Sequence, residues 1–265
     1  MLTSLLSTSN RNAVLGIHDG TDKVITLATQ LLEDYEILER LDSCAFSMRL
    51  KYARILHNHG SLNKAATIQQ SVLHRRRQNK EKEDPQLLIE ALRSYAWSLM
   101  ALGDVYQSRG VLEEALDICE ASLEPGSMHT LDCKRAVAAL QNLEGSTTEA
   151  IKMSKEVLRA EQESSNHAKS RIVSIMSDLA VYLAIASHWE ESWETISGAK
   201  DFAEKNLRQQ DAVNLSVDLN TLTLSRVLRL PVAERSGQII AAERGGRVIA
   251  IWDDKQIVRG RRGGT

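Results

Sequence analysis

The feature that most limits what this chain can fold into is an internal repeat. A small residue, a larger side chain three or four positions on, a turn-compatible residue and a second small residue recur at fixed offsets along the sequence. The clearest copy is Leu102-Gly103, Tyr106, Gly110 and Ala115. The same offsets fall on Tyr52-Ala53, Leu56, Gly60 and Ala65, on Val137-Ala138, Gln141, Gly145 and Ala150, and on Leu179-Ala180, Leu183, Ser187 and Ser192. In this reading the small residues at 53, 103, 138 and 180 are separated by 50, 35 and 42 residues, so the unit is constant and its outer connection varies.

Each unit reads as two antiparallel helices. Leu92, Tyr95, Leu99, Leu102 and Tyr106 recur at three- and four-residue steps along one helical face, which Gly110 is expected to end. A second stripe, Leu112, Ala115, Leu116, Cys119 and Leu123, follows after too short a turn for anything but an antiparallel neighbour. Small residues let two helix backbones approach, larger apolar side chains fill the space around them, and glycine permits the reversal. One hairpin cannot bury both of its faces, so it must stack on the next. Three prolines and an aromatic fraction of 4% agree with a helical chain and argue against a β sandwich. The expected fold class is therefore all-α, an α-α superhelix of stacked hairpins.

These residues resemble the tetratricopeptide repeat (TPR), whose signature is the Leu-Gly/Ala, aromatic, Gly and Ala series just given. The resemblance covers about residues 43–204 in four repeats and is strongest at Leu102-Gly103-x-x-Tyr106 with Gly110 and Ala115. The segment Met128-His129-Thr130-Leu131, running on to Ala150 and Leu158, is similar to the longer repeats of kinesin light chains, where a His-x-Thr-Leu stretch precedes the first helix. MalT-like repeat regions share such extended hairpins. The paired asparagines usual before Leu-Ala in kinesin light chain are replaced here by Met100-Ala101, Arg135-Ala136 and Ser177-Asp178.

The ends read differently. Residues 1–42 form a degenerate helical repeat or cap, with helices expected at 2–15 and 21–40, and residues 205–230 supply a capping helix. After Pro231 the periodicity is lost, and six of the fourteen glycines lie in the last 35 residues. That tail, 231–265, is expected to be a non-repeat or disordered end, with Val248–Trp252 as a lone strand and a basic run, Arg259–Gly264. No signal-peptide pattern or membrane-length apolar run is present, and the three cysteines, Cys44, Cys119 and Cys133, are odd in number and dispersed. A soluble cytoplasmic chain with buried thiols and no disulfide framework is the expectation.

Chemistry has little visible foothold. The seven histidines form no His-Glu-x-x-His pair, and no phosphate loop, dinucleotide fingerprint or nucleophile elbow occurs, so no cofactor, metal or catalytic residue is assigned. Glu113-Glu114 and Glu190-Glu191 read as carboxylates opening second helices, where they meet the positive end of the helix dipole. His74 to Arg77 reads as a cationic helix end, with phosphate binding at Arg75–Arg77 as the functional alternative.

The resemblance implies that the first helices line a concave groove. That groove takes in Ser47, Leu50, Arg54 and His57, then Trp97, Met100, Asp104 and Gln107, then Arg135, Ala139 and Asn142, and finally Ser177, Val181 and Ala184. Such a surface suits a protein or peptide segment, extended or helical, with Trp97 and Met100 as apolar anchors. The implied function is a noncatalytic interaction scaffold. A sensor fragment of a larger nucleotide-hydrolysing regulator is the alternative, and RNA binding ranks last because Arg54 and Arg135 are the only cations among the groove candidates and Asp104 opposes them.

Overall fold

The computed structural model describes residues 43–58, 60–78, 84–164, 168–207, 240–244 and 247–251. Eight helices make up the described part of residues 43–206: α1 (Ser43–Asn58), α2 (Leu62–Gln78), α3 (Pro85–Leu102), α4 (Val105–Ser122), α5 (Met128–Leu143), α6 (Thr147–Glu163), α7 (Lys169–Ile185) and α8 (Trp189–Asn206). They alternate as first and second members of four hairpins. The expected helices at 2–15 and 21–40, the capping helix at 211–230 and the basic run Arg259–Gly264 lie outside the described residues.

All four hairpins reverse through the same turn. Gly60, Gly103, Gly145 and Ser187 adopt left-handed backbone, with φ of 86°, 84°, 86° and 64°. Each donates its N–H to the carbonyl three residues back, and the following residue donates to the carbonyl five back. The pairs are Gly60→His57 and Ser61→Leu56, Gly103→Met100 and Asp104→Leu99, Gly145→Asn142 and Ser146→Gln141, and Ser187→Ala184 and His188→Leu183, at 2.8–3.1 Å. This is the Schellman ending, which satisfies the last carbonyls of the first helix while turning the chain. In the second hairpin Asp104 then starts α4, its carboxylate accepting from the Gln107 N–H at 3.0 Å.

That turn corrects the register expected for the second repeat. The reversal sits at Gly103, and Gly110 lies inside α4. Tyr106, expected on the buried stripe of the first helix, is on the first turn of α4 and 88% exposed. Glu113-Glu114 are consequently mid-helix rather than helix-opening, whereas Glu190 and Glu191 do occupy the first turn of α8. With turn residues at 60, 103, 145 and 187, the repeat step is 43, 42 and 42, nearly uniform rather than 50, 35 and 42. Met128–Leu131 likewise form the first turn of α5 instead of preceding it.

The corrected register exposes the packing rule. Seven residues before each turn stand Ala53, Ala96, Ala138 and Ala180, and five after it Ala65, Ser108, Ala150 and Ser192, all 0% exposed. Ala96, not Gly103, is the equivalent of the other three alanines. Where the second small residue is serine, its hydroxyl donates to the facing alanine carbonyl: Ser108 to Ala96 at 3.2 Å and Ser192 to Ala180 at 2.6 Å. A buried hydroxyl is thereby satisfied at a crossing too tight for a larger side chain.

Contacts divide the chain into two compact units near Leu140. The first holds α1 to α4 and most of α5, around Phe46, Leu50, Val72, Leu73, Ile89, Leu92, Ala115, Cys119 and Cys133. The second contains α6, α7 and α8, with Val173, Ala180, Ala184, Ile196, Ala199 and Ala203 in one core. Buried Glu161 at the end of α6 is paired there with Arg171 of α7 through two hydrogen bonds of 2.9 and 3.1 Å. Beyond the helices, the strand expected at 248–252 is seen at Arg247–Ile251 and is not alone, since Ile240–Arg244 pairs with it.

Ser187 is the one turn residue that carries a Cβ in left-handed backbone, a conformation that disfavours an L side chain by about 1 kcal/mol. Replacing Ser187 by glycine is expected to raise stability by about 0.5–1 kcal/mol in urea unfolding, and Gly103→Ala to lower it by about 1 kcal/mol. No atom lies within 4 Å of the Cβ that Gly103 would gain, so the expected loss comes from the backbone alone.

Candidate functional site

The candidate surface is the face of the first helices in the amino-terminal unit. Counting back from each turn residue, three register positions recur in the first helices of the two units, each taken by itself: ten back (Leu50, Arg93 and Arg135 in the first, Ser177 in the second), six back (Arg54, Trp97 and Ala139, then Val181) and three back (His57 and Met100, then Asn142 and Ala184). The residues expected from sequence on α1, α5 and α7 therefore share one register, and Trp97 and Met100 join them on α3. Asp104 and Gln107 do not. They belong to the turn and the first turn of α4, where Asp104 caps the helix, because the misplaced turn shifted the second repeat by seven residues. Arg93 is the position that sequence reasoning missed, and its signal was its spacing of four from Trp97, the same as Leu50 to Arg54.

Burial separates the members of this face. Leu50, His57, Met100, Ala139, Ser177 and Val181 are buried. Trp97, Arg93, Arg135 and Asn142 are half-buried and Arg54 is exposed. Trp97 packs against the cluster of Ala96, Met100, Leu112, Ala136 and Leu140 and stays partly accessible. Three arginines and one tryptophan are thus the solvent-facing chemistry of this surface in the first unit.

The arginines are not isolated charges. Arg93 meets Asp132 of α5 at 3.5 Å, with both side chains partly exposed. Glu90, one turn before Arg93 on α3, and Arg93 itself both lie within electrostatic reach of Arg54. Acid and base therefore alternate from α1 across α3 to α5, a partly exposed pattern that orients side chains more than it stabilises the fold.

Beneath this face lies a polar layer. The His57 Nδ1 is 3.1 Å from the Ser98 hydroxyl, and Gln69 of α2 donates to the Ser94 hydroxyl at 2.8 Å. Ser94 and Ser98 are one turn apart on α3, so the first hairpin is keyed to the second by two hydrogen bonds inside an apolar contact. Burial pushes the His57 imidazole down to about 4, which keeps it neutral at physiological pH.

Other candidates resolve into structure. Arg76 is buried with its guanidinium 4.4 Å from the Phe46 ring centroid, and Arg77 pairs with Glu114 at 2.5 Å. Arg76 is thus drawn into the fold, while Arg75 is half-buried and exposed Arg77 is engaged by an acid of α4. Among the described residues no three His, Cys, Asp or Glu side chains are grouped to hold a metal ion, and no helix is long and apolar enough to cross a membrane.

Neither a protein-family model nor a curated protein sequence matches the chain. Solved structures do. BtubC (BKLC) from P. vanneervenii is similar with a TM-score of 0.62 at 18% identity, over 82% of this chain and 85% of that one. The nearly identical kinesin light chain TPR-like repeats of a Podospora anserina protein give 0.54 at 16% identity, over 74% and 93%. PlcR of Bacillus thuringiensis, in complex with the peptide PapR7 and DNA, gives 0.56 at 16% identity, over 81% and 75%.

His57 also makes stability depend on pH. Its folded pKa is below its unfolded value near 6.5, so the unfolded chain binds the proton first, and stability is full above pH 6.5 and falls as pH drops toward 4. The loss attributable to this ring is up to about 3 kcal/mol. Urea midpoints from pH 7.5 to 4.5 are expected to show that fall, and His57→Gln to flatten it. With the repeated turns, the alanine crossings and these structural likenesses together, the chain has the all-α, TPR-like fold of stacked helical hairpins.

Proposed function

We propose that the chain is a noncatalytic scaffold that holds a protein segment against the first-helix face of its amino-terminal unit. The observation that carries this reading is Trp97, half-buried and fixed by packing among Ala96, Met100 and Ala136, on a face whose other accessible groups include Arg54, Arg93 and Arg135. A rigid indole offers a partner a large apolar contact at little conformational cost, and guanidinium groups around it supply directional hydrogen bonds to carbonyls and carboxylates. Met100, the second anchor expected from sequence, is buried in the cluster against which Trp97 packs, which leaves the indole as the apolar group open to a partner.

The similarity to PlcR, seen in complex with a peptide, supports a segment-binding role for this architecture. The alternation of Arg54, Glu90, Arg93 and Asp132 fits a polar polypeptide better than a nucleic acid backbone, because each cation has an acid close by. Absence of a catalytic role and cytoplasmic placement belong to the same reading.

Peptides selected from a displayed random library on the full chain supply the ligand for the test. Trp97→Ala is expected to weaken their binding by tenfold or more in fluorescence anisotropy, and Arg135→Ala to weaken it further, while Tyr106→Ala on the first turn of α4 leaves it unchanged. Selected peptides that bind equally well to folded Trp97→Ala protein remove this face as the site.

A further inference from the structure

The amino-terminal unit holds a pair of thiols that the spacing of the cysteines does not suggest. Cys119, in the last turn of α4, and Cys133, in the second turn of α5, bring their sulfur atoms to 3.8 Å of each other, and both residues are 0% exposed. They sit in the core with Leu88, Ile89, Leu92 and Ala115. Sixteen residues after its turn, each second helix carries a buried side chain: Arg76, Cys119, Glu161 and Ala203. Arg76 lies over Phe46 and Glu161 is paired with Arg171, so these two positions are filled by noncovalent contacts. Cys119 faces a second thiol instead.

We propose that Cys119 and Cys133 are a redox-active dithiol that peroxide closes to a disulfide, joining the second repeat to the third. Bringing sulfurs from 3.8 Å to a bond of about 2.05 Å asks for a swing of about 1 Å at each sulfur, within reach of χ1 rotation. The chemistry balances with hydrogen peroxide as the oxidant. One thiolate attacks a peroxide oxygen, the O–O bond breaks, and a sulfenic acid and water result. The second thiol attacks the sulfenic sulfur, the S–S bond forms as the S–O bond breaks, and a second water leaves with the proton.

Burial and the adjacent Cys119 push the Cys133 thiol well above its ordinary value, so in the closed fold that thiol is protonated, and both sulfurs are sheltered in the core. Closure therefore proceeds through opening of the α4–α5 joint, whose connecting residues Glu124, Pro125 and Gly126 are exposed. The first sulfenic acid finds its partner thiol at once when the joint recloses. The product closes a loop running from residue 119 to residue 133 and fixes the spacing of α4 and α5 covalently.

The test uses the full chain with hydrogen peroxide, followed by denaturation, alkylation with N-ethylmaleimide and peptide mass mapping. A Cys119–Cys133 linked peptide that has lost two hydrogens and is restored by dithiothreitol is expected. It should form equally in Cys44→Ser protein, form faster in sub-denaturing urea, and raise the unfolding temperature by about 5 °C or more. Cys133→Ala is expected to divert Cys119 to sulfenic and sulfinic acid. Full alkylation of both cysteines after peroxide treatment, or a bridge that always includes Cys44, overturns the proposal. Mapping of the unmutated chain decides the question even if a variant folds poorly.

Discussion

The reversal at each hairpin, two backbone hydrogen bonds closed around one left-handed residue, is the constraint on which the rest of the structure depends. Once the donors at residues 60 and 61, 103 and 104, 145 and 146, and 187 and 188 are committed, the second helix of each pair has a fixed starting point relative to the first. The crossings then fall seven residues before and five after the turn, where alanine or serine is the only size that the separation admits. Serine is compatible at the latter position because its hydroxyl reaches the carbonyl across the crossing. Everything on the first-helix face, Arg54, Arg93 and Trp97 included, takes its place from that count.

Much of this was legible because the periodicity is physical. The first, third and fourth hairpins can be placed from Gly60, Gly145 and Ser187 and their flanking small residues, and Trp97 and Met100 fall at register positions shared with Arg54 and His57. The second hairpin was misplaced because Gly103 and Gly110 lie seven apart, which is also the distance from small residue to turn. A glycine ending a helix and a glycine inside one look alike as letters, although only the first needs positive φ. Asp104, a side chain suited to starting a helix immediately after Gly103, was the local signal that separates the two readings. Arg93 was lost by the same slip. The thiol contact was not legible at all, since a separation of fourteen residues says nothing about two helices meeting across a loop until their ends are placed.

The joints between hairpins are chemically diverse where the turns are uniform. Cys119 meets a thiol, Glu161 a two-pronged guanidinium, and His57 and Gln69 meet serine hydroxyls from the neighbouring helix. An apolar contact alone would let one hairpin slide along the next with modest loss, whereas a buried polar pair is satisfied in one position only. Each joint is therefore distinguishable from the others, and hairpins of one chain are not interchangeable despite a common outline.

A hairpin defined by a few backbone bonds and two small residues per repeat leaves its exposed positions nearly unconstrained and asks of its buried ones mainly that they fill the space between helices. Substitutions can accumulate over the solvent-facing positions of such a chain while the hairpins persist. Turn geometry and crossing size can thus be kept while most letters differ, which is why 16–18% identity and a like fold coexist without tension.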